Sequence, residues 1–343
     1  MARTYRDAGV DDAEAARAVE RIAAVVAANA NPAVIGGIGG FGGLFRFDPG
    51  AYDDPVLVSS TDGVGTKLKV AVGLARYDTI GVDLVHQNVN DIAVTGADPL
   101  FFLDYLAVGR LRAEIVEQIV AGVAAACAGI GIPLVGGETS QMPDVYRDDD
   151  LDLVGFVVGA ASRADLIDGG HARAGNAVIG LPSSGLHTNG YTLARRVLPE
   201  STWTEPMPGG EQTIGDALLA PHRAYLAEIR SMRHALRAEG SDVGALAHLT
   251  GGGWQGNLPR TLPAGLGAEI ETGSWPVPPI FSLIQQRADI ADEEMVRTFN
   301  LGIGMTAVVP DAHADAVLAA VPEARRIGRV VAVAEGESRV RFV

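Results

Sequence analysis

A chain of 343 residues is long for one hydrophobic core, so two domains are expected, and 48% hydrophobic with 20% charged residues is ordinary globular composition. The formal charge of −15 excludes a protein built to neutralise nucleic-acid phosphates, and a phosphate ligand would need a metal to sit against so acidic a chain. Cys127 is the only cysteine, which excludes an intrachain disulfide and a multi-cysteine zinc site and fits a reducing compartment.

From the start, Met1 leads through Arg3 and Arg6 into charged sequence without an apolar signal core, so a cytoplasmic location is expected and a membrane anchor is not. Asp11 followed by Glu14 reads as a capping-box-like start to a helix carrying Val19, Ile22, Val25 and Val26 at helical spacing and ending by Asn31-Pro32. Residues 34–44 hold Gly36, Gly37, Gly39, Gly40, Gly42 and Gly43, too much glycine for a helix or strand, and are expected as a loop. The run from Gly37 to Gly42 formally matches the dinucleotide fingerprint, but it follows a helix instead of a strand, so that reading is rejected. A mobile surface loop and a lid whose backbone N–H groups wrap phosphates both stay open. A Walker A sequence is absent, so any ATP site must use another architecture.

Residues 55–60 read as a buried strand, and Asp62-Gly63-Val64-Gly65-Thr66-Lys67 follows at its carboxyl end. A carboxylate there can hold Mg²⁺, the glycines let the backbone approach phosphate oxygens, and Lys67 supplies a point charge; an ordinary glycine turn with solvated charges is the plainer alternative. Lys67 and Lys69 are the only lysines among 27 basic residues; a position that needs a compact ammonium and chance placement both account for this. A helix over 80–93, a strand over 101–108, a strongly apolar helix over 114–128 and strands over 133–135 and 151–159 come next. The uncharged stretch 118–137 is broken by its glycines and Pro133 into helix, turn and strand. Asp91 in the first of these helices and Glu138 after Gly136-Gly137 are charges on apolar elements, costly unless paired or coordinated. Metal ligation together with Asp62 would resolve that cost; an exposed helical position for Asp91 and a helix cap for Glu138 would also do so. Asp104 has similar standing.

Polar and glycine residues around Asp168-Gly169-Gly170 mark the best boundary, giving domains 1–168 and 169–343. The second half mixes strands over 177–181 and 303–309 with helices over 190–197, 221–236, 281–287 and 312–320, so both halves are expected to be α/β or α+β. Pro182 to Gly190 lies between a strand and a helix and offers Ser184, His187 and Asn189, which suit a phosphate or polar substrate, with His187 able to act as acid or base. A capping loop with an exposed histidine is the alternative. His248-Leu249-Thr250-Gly251-Gly252-Gly253, followed by Asn257 and Arg260, is a second anion-site candidate. The seven histidines form no HExxH and no close pair in sequence, so a zinc hydrolase has no support.

Taken in order, these segments resemble the phosphoribosylformylglycinamidine cyclo-ligase family, the AIR synthetases. The matching stretches include Tyr5-Arg6-Asp7-Ala8-Gly9-Val10, the glycine run, Thr61 to Lys67, Asp78 to Leu84, Val89-Asn90-Asp91, Pro99 to Tyr105, Leu134 to Thr139, His187 to Tyr191, His248 to Gly253 and Arg297-Thr298-Phe299-Asn300. The resemblance implies an AIR-synthetase-like fold of mixed sheets with packed helices, a homodimer joined mainly through amino-terminal sheets, and ATP held without a P-loop. It implies conversion of formylglycinamidine ribonucleotide and ATP to aminoimidazole ribonucleotide, ADP and phosphate in purine biosynthesis. On that likeness Asp62, Asp91 and Glu138 would hold Mg²⁺, and Asp62, Lys67 and His187 would carry the catalysis. Gly37, Gly39, Gly40, Gly42, Gly63, Gly65, Thr66, Lys67, Gly136 and Gly137 would surround the nucleotide, and Ser184, His187, Asn189, Thr250, Gly251 and Gly252 the substrate. Asn88, Thr188 and Val296 depart from the family pattern, which touches substrate packing more than reaction class. Rivals are a related small-molecule kinase such as thiamine-phosphate kinase and a non-catalytic nucleotide-binding dimer of the same fold.

Overall fold

The computed structural model describes residues 4, 5, 7, 9–27, 29, 31–37 and 40–343; Gly39 of the glycine run, and Arg6 and Ala8 of the N-terminal motif, lie outside the described residues. The chain divides into two units, residues 1–92 with 98–164 and residues 93–97 with 165–343.

In the first unit, helix α1 (Asp12–Ala27) is followed by a two-stranded ribbon, β1 (Val34–Ile35) with β2 (Leu44–Phe45), so the ends of the glycine-rich segment pair where only a loop was expected. Strand β3 (Pro55–Gly63) runs past the expected end and takes in Asp62, and leads through a 3₁₀ turn to the short helix α2 (Leu68–Gly73). Then come α3 (Ile80–Ala93), β4 (Asp98–Val108), α4 (Ala113–Ile130), β5 (Leu134–Gln141) and β6 (Leu151–Ser162). The four-stranded sheet has the order β3-β6-β4-β5, antiparallel except for β4 with β5. One face is buried under α3: a Cβ on Gly155 of β6 would meet Leu84 and Asn88 of α3 within 3.0 Å. Helices α3 and α4 cross backbone to backbone, since a Cβ on Gly81 would lie 2.2 Å from the Ile119 carbonyl oxygen. The other face of the sheet stays open, with Leu57 62% and Phe156 39% exposed.

Helix α4 is, among the described residues, the one helix long and apolar enough to cross a membrane by length and composition, and half of it is buried inside the protein. Its first two turns pair with α1 through Glu114–Arg17 and Glu117–Arg21, and it ends at Gly131 (φ 87°), whose N–H donates to the Cys127 carbonyl at 3.0 Å.

The second unit contains β7 (Ala177–Pro182), α5 (Tyr191–Val197), α6 (Ile214–Leu218), α7 (Leu226–Ala238), β8 (Ala245–His248), α8 (Gly253–Asn257), β9 (Leu266–Ile270), α9 (Pro279–Ala288), α10 (Asp292–Thr298), β10 (Ile303–Val309), α11 (Ala314–Ala320), β11 (Arg325–Ala332) and β12 (Val340–Phe342). Its six-stranded sheet has the order β12-β9-β11-β7-β10-β8. Strand β10 is buried along its length, with β7 and β8 antiparallel on either side. Trp254 anchors one core, stacked on Trp275 at 5.5 Å and donating from Nε1 to the Asn300 carbonyl at 3.1 Å. The helix expected from residue 221 begins only at Leu226, because Tyr225 turns inward, fully buried, and donates its hydroxyl to the Pro182 carbonyl at 2.9 Å.

Candidate active site

Side-chain alternation along β3 sends Val56, Val58, Ser60 and Asp62 to the helix-covered side of the sheet. The Asp62 carboxylate accepts the Gly63 N–H at 2.8 Å and the Gln87 amide of α3. Asn88, one of the departures from the family pattern, donates to the Asp62 carbonyl at 3.3 Å and to the Leu84 carbonyl at 2.9 Å, so α3 grips this strand end from two residues. Asp91, one turn further along α3, accepts from Ser60 Oγ at 3.5 Å. Asp62 and Asp91 therefore flank the same short piece of β3.

Glu138 does not join them. The register pairs Glu138 with Tyr105 and Tyr105 with Val154, whereas Asp62 pairs with Gly155. Paired residues share a face and neighbours alternate, so Glu138 stands on the open face, with β6 and β4 between it and β3. Glu138 is exposed and accepts from Ser140 Oγ at 2.7 Å, and it lies within β5 instead of at a helix cap. Within one chain the three carboxylates do not converge. Donor chemistry still suits Mg²⁺ at Asp62 and Asp91, because this hard ion is ordinarily taken by one or two carboxylates plus phosphate and water.

Lys67, expected at the phosphates, is also elsewhere: its side chain is fully buried and its ammonium donates to Asp83 Oδ1 at 2.8 Å and forms an ion pair with Oδ2 at 2.8 Å. Burial lowers the ammonium pKa and Asp83 opposes that shift. Lys69, the other lysine, is exposed and pairs with Asp150. Gly65 (φ 72°) and Thr66 are exposed beside Asp62, leaving backbone open to an approaching anion. In the glycine run, added Cβ atoms at Gly37 and Gly42 would meet nothing within 4 Å, and Phe41 is fully exposed. Gly137 has a structural reason: a Cβ there would lie 1.9 Å from Asp104 Oδ1. Burial pushes the Asp104 carboxyl up to about 7.

In the second unit the structure does bring the expected segments together. Pro182 pairs with Ile303 and His248 with Met305, so the loops leaving β7 and β8 emerge on either side of β10 at the same end of the sheet. A Cβ on Gly251 would be 3.3 Å from Asn189 Oδ1, which places the two loops side by side. Asn257 holds the second loop by donating to the carbonyls of Thr250 at 3.2 Å, Gly251 at 3.2 Å and Gly253 at 2.8 Å. Asn300 holds the first, donating to the Gly185 carbonyl at 2.9 Å and accepting from Ser183 Oγ at 3.0 Å. Ser184, Gly251 and Gly252 are exposed, and Ser184 and Gly185 open on a cleft of about 180 Å³ shared with Met207 and Gln212.

His187 is placed behind this surface. It is fully buried, holds a left-handed φ of 61°, and accepts the Ser184 N–H at Nε2 over 3.3 Å. Its ring stacks at 4.0 Å on His222, a residue expected within the helix over 221–236. An imidazole so placed acts on the Ser184 loop from within. Nothing local in the sequence marks His222; only the inward turn before α7 reveals it.

Comparison with known proteins agrees with this architecture. Residues 43–161 match the family described as AIR synthase related protein, N-terminal domain, and residues 173–341 its C-terminal domain. The chain is 48% identical over 309 residues to the phosphoribosylformylglycinamidine cyclo-ligase of Desulfitobacterium hafniense strain DSM 10664, covering 90% of each chain. It is 47% identical over 349 residues to the protein of that name from Anaeromyxobacter dehalogenans strain 2CP-1, covering 100% of each. Among solved structures, thiamine-monophosphate kinase from Stenotrophomonas maltophilia has a TM-score of 0.67 at 19% identity, covering 95% of each chain. The hydrogenase maturation protein HypE in complex with ATP has a TM-score of 0.65 at 19% identity, covering 94% of this chain and 90% of the other. At these identities the two structures show a shared fold.

Proposed function

The chain belongs to the phosphoribosylformylglycinamidine cyclo-ligase family, and from that membership we infer that it closes the imidazole ring of aminoimidazole ribonucleotide at the expense of ATP. The structural observation that carries this reading is the meeting of the Ser184–Asn189 and Thr250–Gly252 loops at one end of the second sheet, where Ser184, Gly251 and Gly252 are exposed. The formyl amide oxygen of the substrate is a poor leaving group. Transfer of the ATP γ-phosphoryl group to it makes an iminophosphate; the amidine nitrogen attacks that carbon, and phosphate leaves with the former amide oxygen as the ring closes.

Asp62 and Asp91 are the residues that hold Mg²⁺, which when bound neutralises phosphate charge on this acidic chain. Gly63, Gly65 and Thr66 present backbone to the phosphates, and the hairpin tip carrying Gly37, Gly40 and Gly42 covers the nucleotide. Lys67 keeps the Gly65–Leu68 turn in place through Asp83 instead of meeting phosphate. The HypE complex with ATP supports nucleotide binding on this fold. The open sheet face bearing Leu57, Phe156 and Glu138 supports a homodimer joined there; a single cysteine fits work in the reducing cytoplasm.

The purified protein, given formylglycinamidine ribonucleotide, ATP and Mg²⁺, is expected to form aminoimidazole ribonucleotide with ADP and phosphate in equal amounts. ADP released with a phosphorylated, still open product would instead make it a kinase. Tight ATP binding without turnover would leave only a nucleotide-binding dimer.

A further inference from the structure

Three histidines from separate segments meet inside the second unit: His187 after β7, His222 before α7 and His248 at the end of β8. Each offers a ring nitrogen, and these nitrogens all lie within 4.8 Å of one another. Their exposures are 0%, 1% and 5%, so the grouping is part of the interior and no accident of a crowded surface. Among the described residues no other set of three histidine, cysteine or carboxylate side chains meets that condition.

His187 Nε2 accepts the Ser184 N–H at 3.3 Å and its ring stacks on His222 at 4.0 Å, so His187 has to turn from that stack to share an ion with His222, whereas His222 and His248 already face each other. His222 Nε2 and His248 Nε2 are 2.9 Å apart, too close for two protonated nitrogens to face each other. Either one proton lies between them or both lone pairs are turned to a common acceptor. Thr188 Oγ1 lies 3.3 Å from His222 Nδ1, and a hydroxyl that accepts the Nδ1–H fixes the tautomer that leaves Nε2 with its lone pair. Asn189 Nδ2 donates to the same hydroxyl at 3.4 Å. Room for the cluster depends on Gly304 of β10, where a Cβ would lie 2.4 Å from His187 Cε1 and 2.1 Å from the Tyr225 hydroxyl.

We propose that His187, His222 and His248 form a binding site for a transition-metal dication of the zinc class. Imidazole nitrogens are weak partners for Mg²⁺, which wants hard oxygen ligands, and good ones for Zn²⁺, Co²⁺, Ni²⁺ or Cu²⁺. Three nitrogens leave a fourth tetrahedral position for water or an anion, and an anion there offsets the charge brought into the interior. The metal ties together the β7 loop, the irregular segment before α7 and the end of β8. The proposal stands apart from the magnesium carboxylates of the first unit and does not depend on the ligase reading.

The full-length protein, stripped with a chelator and then dialysed against Zn²⁺ or Co²⁺ with Mg²⁺ in large excess, is expected to retain roughly one transition metal per chain. The Co²⁺ form should show visible absorption of a nitrogen-ligated tetrahedral ion, and Zn²⁺ should raise the melting temperature where Mg²⁺ does not. His222→Asn should weaken binding by about 100-fold or more. Should that variant fail to fold, X-ray absorption on the wild-type Zn²⁺ form counts the imidazole ligands directly. Metal content no higher than in a Mg²⁺-only control, binding unchanged in folded His222→Asn, or an absorption spectrum without histidine ligands would each overturn the proposal and leave a histidine hydrogen-bond cluster only.

Discussion

Lysine 67 shows how much a single side chain can mislead when only its neighbours in sequence are known. Beside Asp62, Gly63 and Gly65 it reads as a phosphate ligand; in the fold it is fully buried against Asp83. Removing one partner of such a pair leaves an uncompensated buried charge, so Lys67→Met should cost about 3–5 kcal/mol, while Lys67→Met with Asp83→Leu recovers most of it. Chemical denaturation of the two variants tests this: a single variant as stable as wild type, with only its ATP affinity reduced, would restore the phosphate role. Asp104 gives a second residue-scale prediction. Its carboxyl, at about 7 in the folded state against 3.8 unperturbed, keeps a proton that the unfolded chain loses at lower pH. Stability relative to Asp104→Asn therefore falls as pH rises from 3.8 toward about 7 and changes no further above that, by at most about 4 kcal/mol. Denaturation of both proteins at several pH values checks the slope; parallel curves would show an ordinary carboxylate.

At the scale of elements, the loop from Ser184 to Gly190 owes its shape to a close approach that demands glycine. Gly190, at φ 78°, caps the start of α5, and a Cβ there would lie 2.3 Å from Phe299 Cε1. Gly190→Ala should fold with a loss of about 1–3 kcal/mol and shift the loop that carries Ser184 and Asn189, raising KM for the ribonucleotide more than KM for ATP. Steady-state kinetics separate the two, and equal effects on both would detach this loop from substrate binding. Several elements were legible in sequence: the expected helix over 80–93 and strand over 303–309 coincide with α3 and β10. Strong periodicity and continuous apolar runs make such segments readable. Strands β8, β9, β11 and β12 were not, being short or carrying charges, such as Arg329 of β11 and Arg341 of β12, that pair across the sheet with Glu269 of β9. That pairing is invisible until the strands are laid side by side.

For the molecule as a whole, the open face of the first sheet sets the question of assembly. Leu57 and Phe156 stand out on strands whose opposite side is packed under α3, and a subunit interface there would cover them. Replacing both by Asp should convert a dimer to monomers in sedimentation velocity; an unchanged sedimentation coefficient would move the interface elsewhere. The ordered motifs along the chain already pointed to family, α/β architecture and ATP chemistry, because glycine, carboxylate and hydroxyl positions near strand ends are local features that linear spacing records. Tertiary structure alone decided which of those residues share a site. Strand alternation and register set Glu138 on the face away from Asp62, burial took Lys67 and His187 out of solvent, and the inward turn at Tyr225 brought His222 to His248 across 26 positions of sequence. Side-chain direction in a sheet and distance through a fold depend on contacts between remote segments, which no stretch of sequence carries by itself.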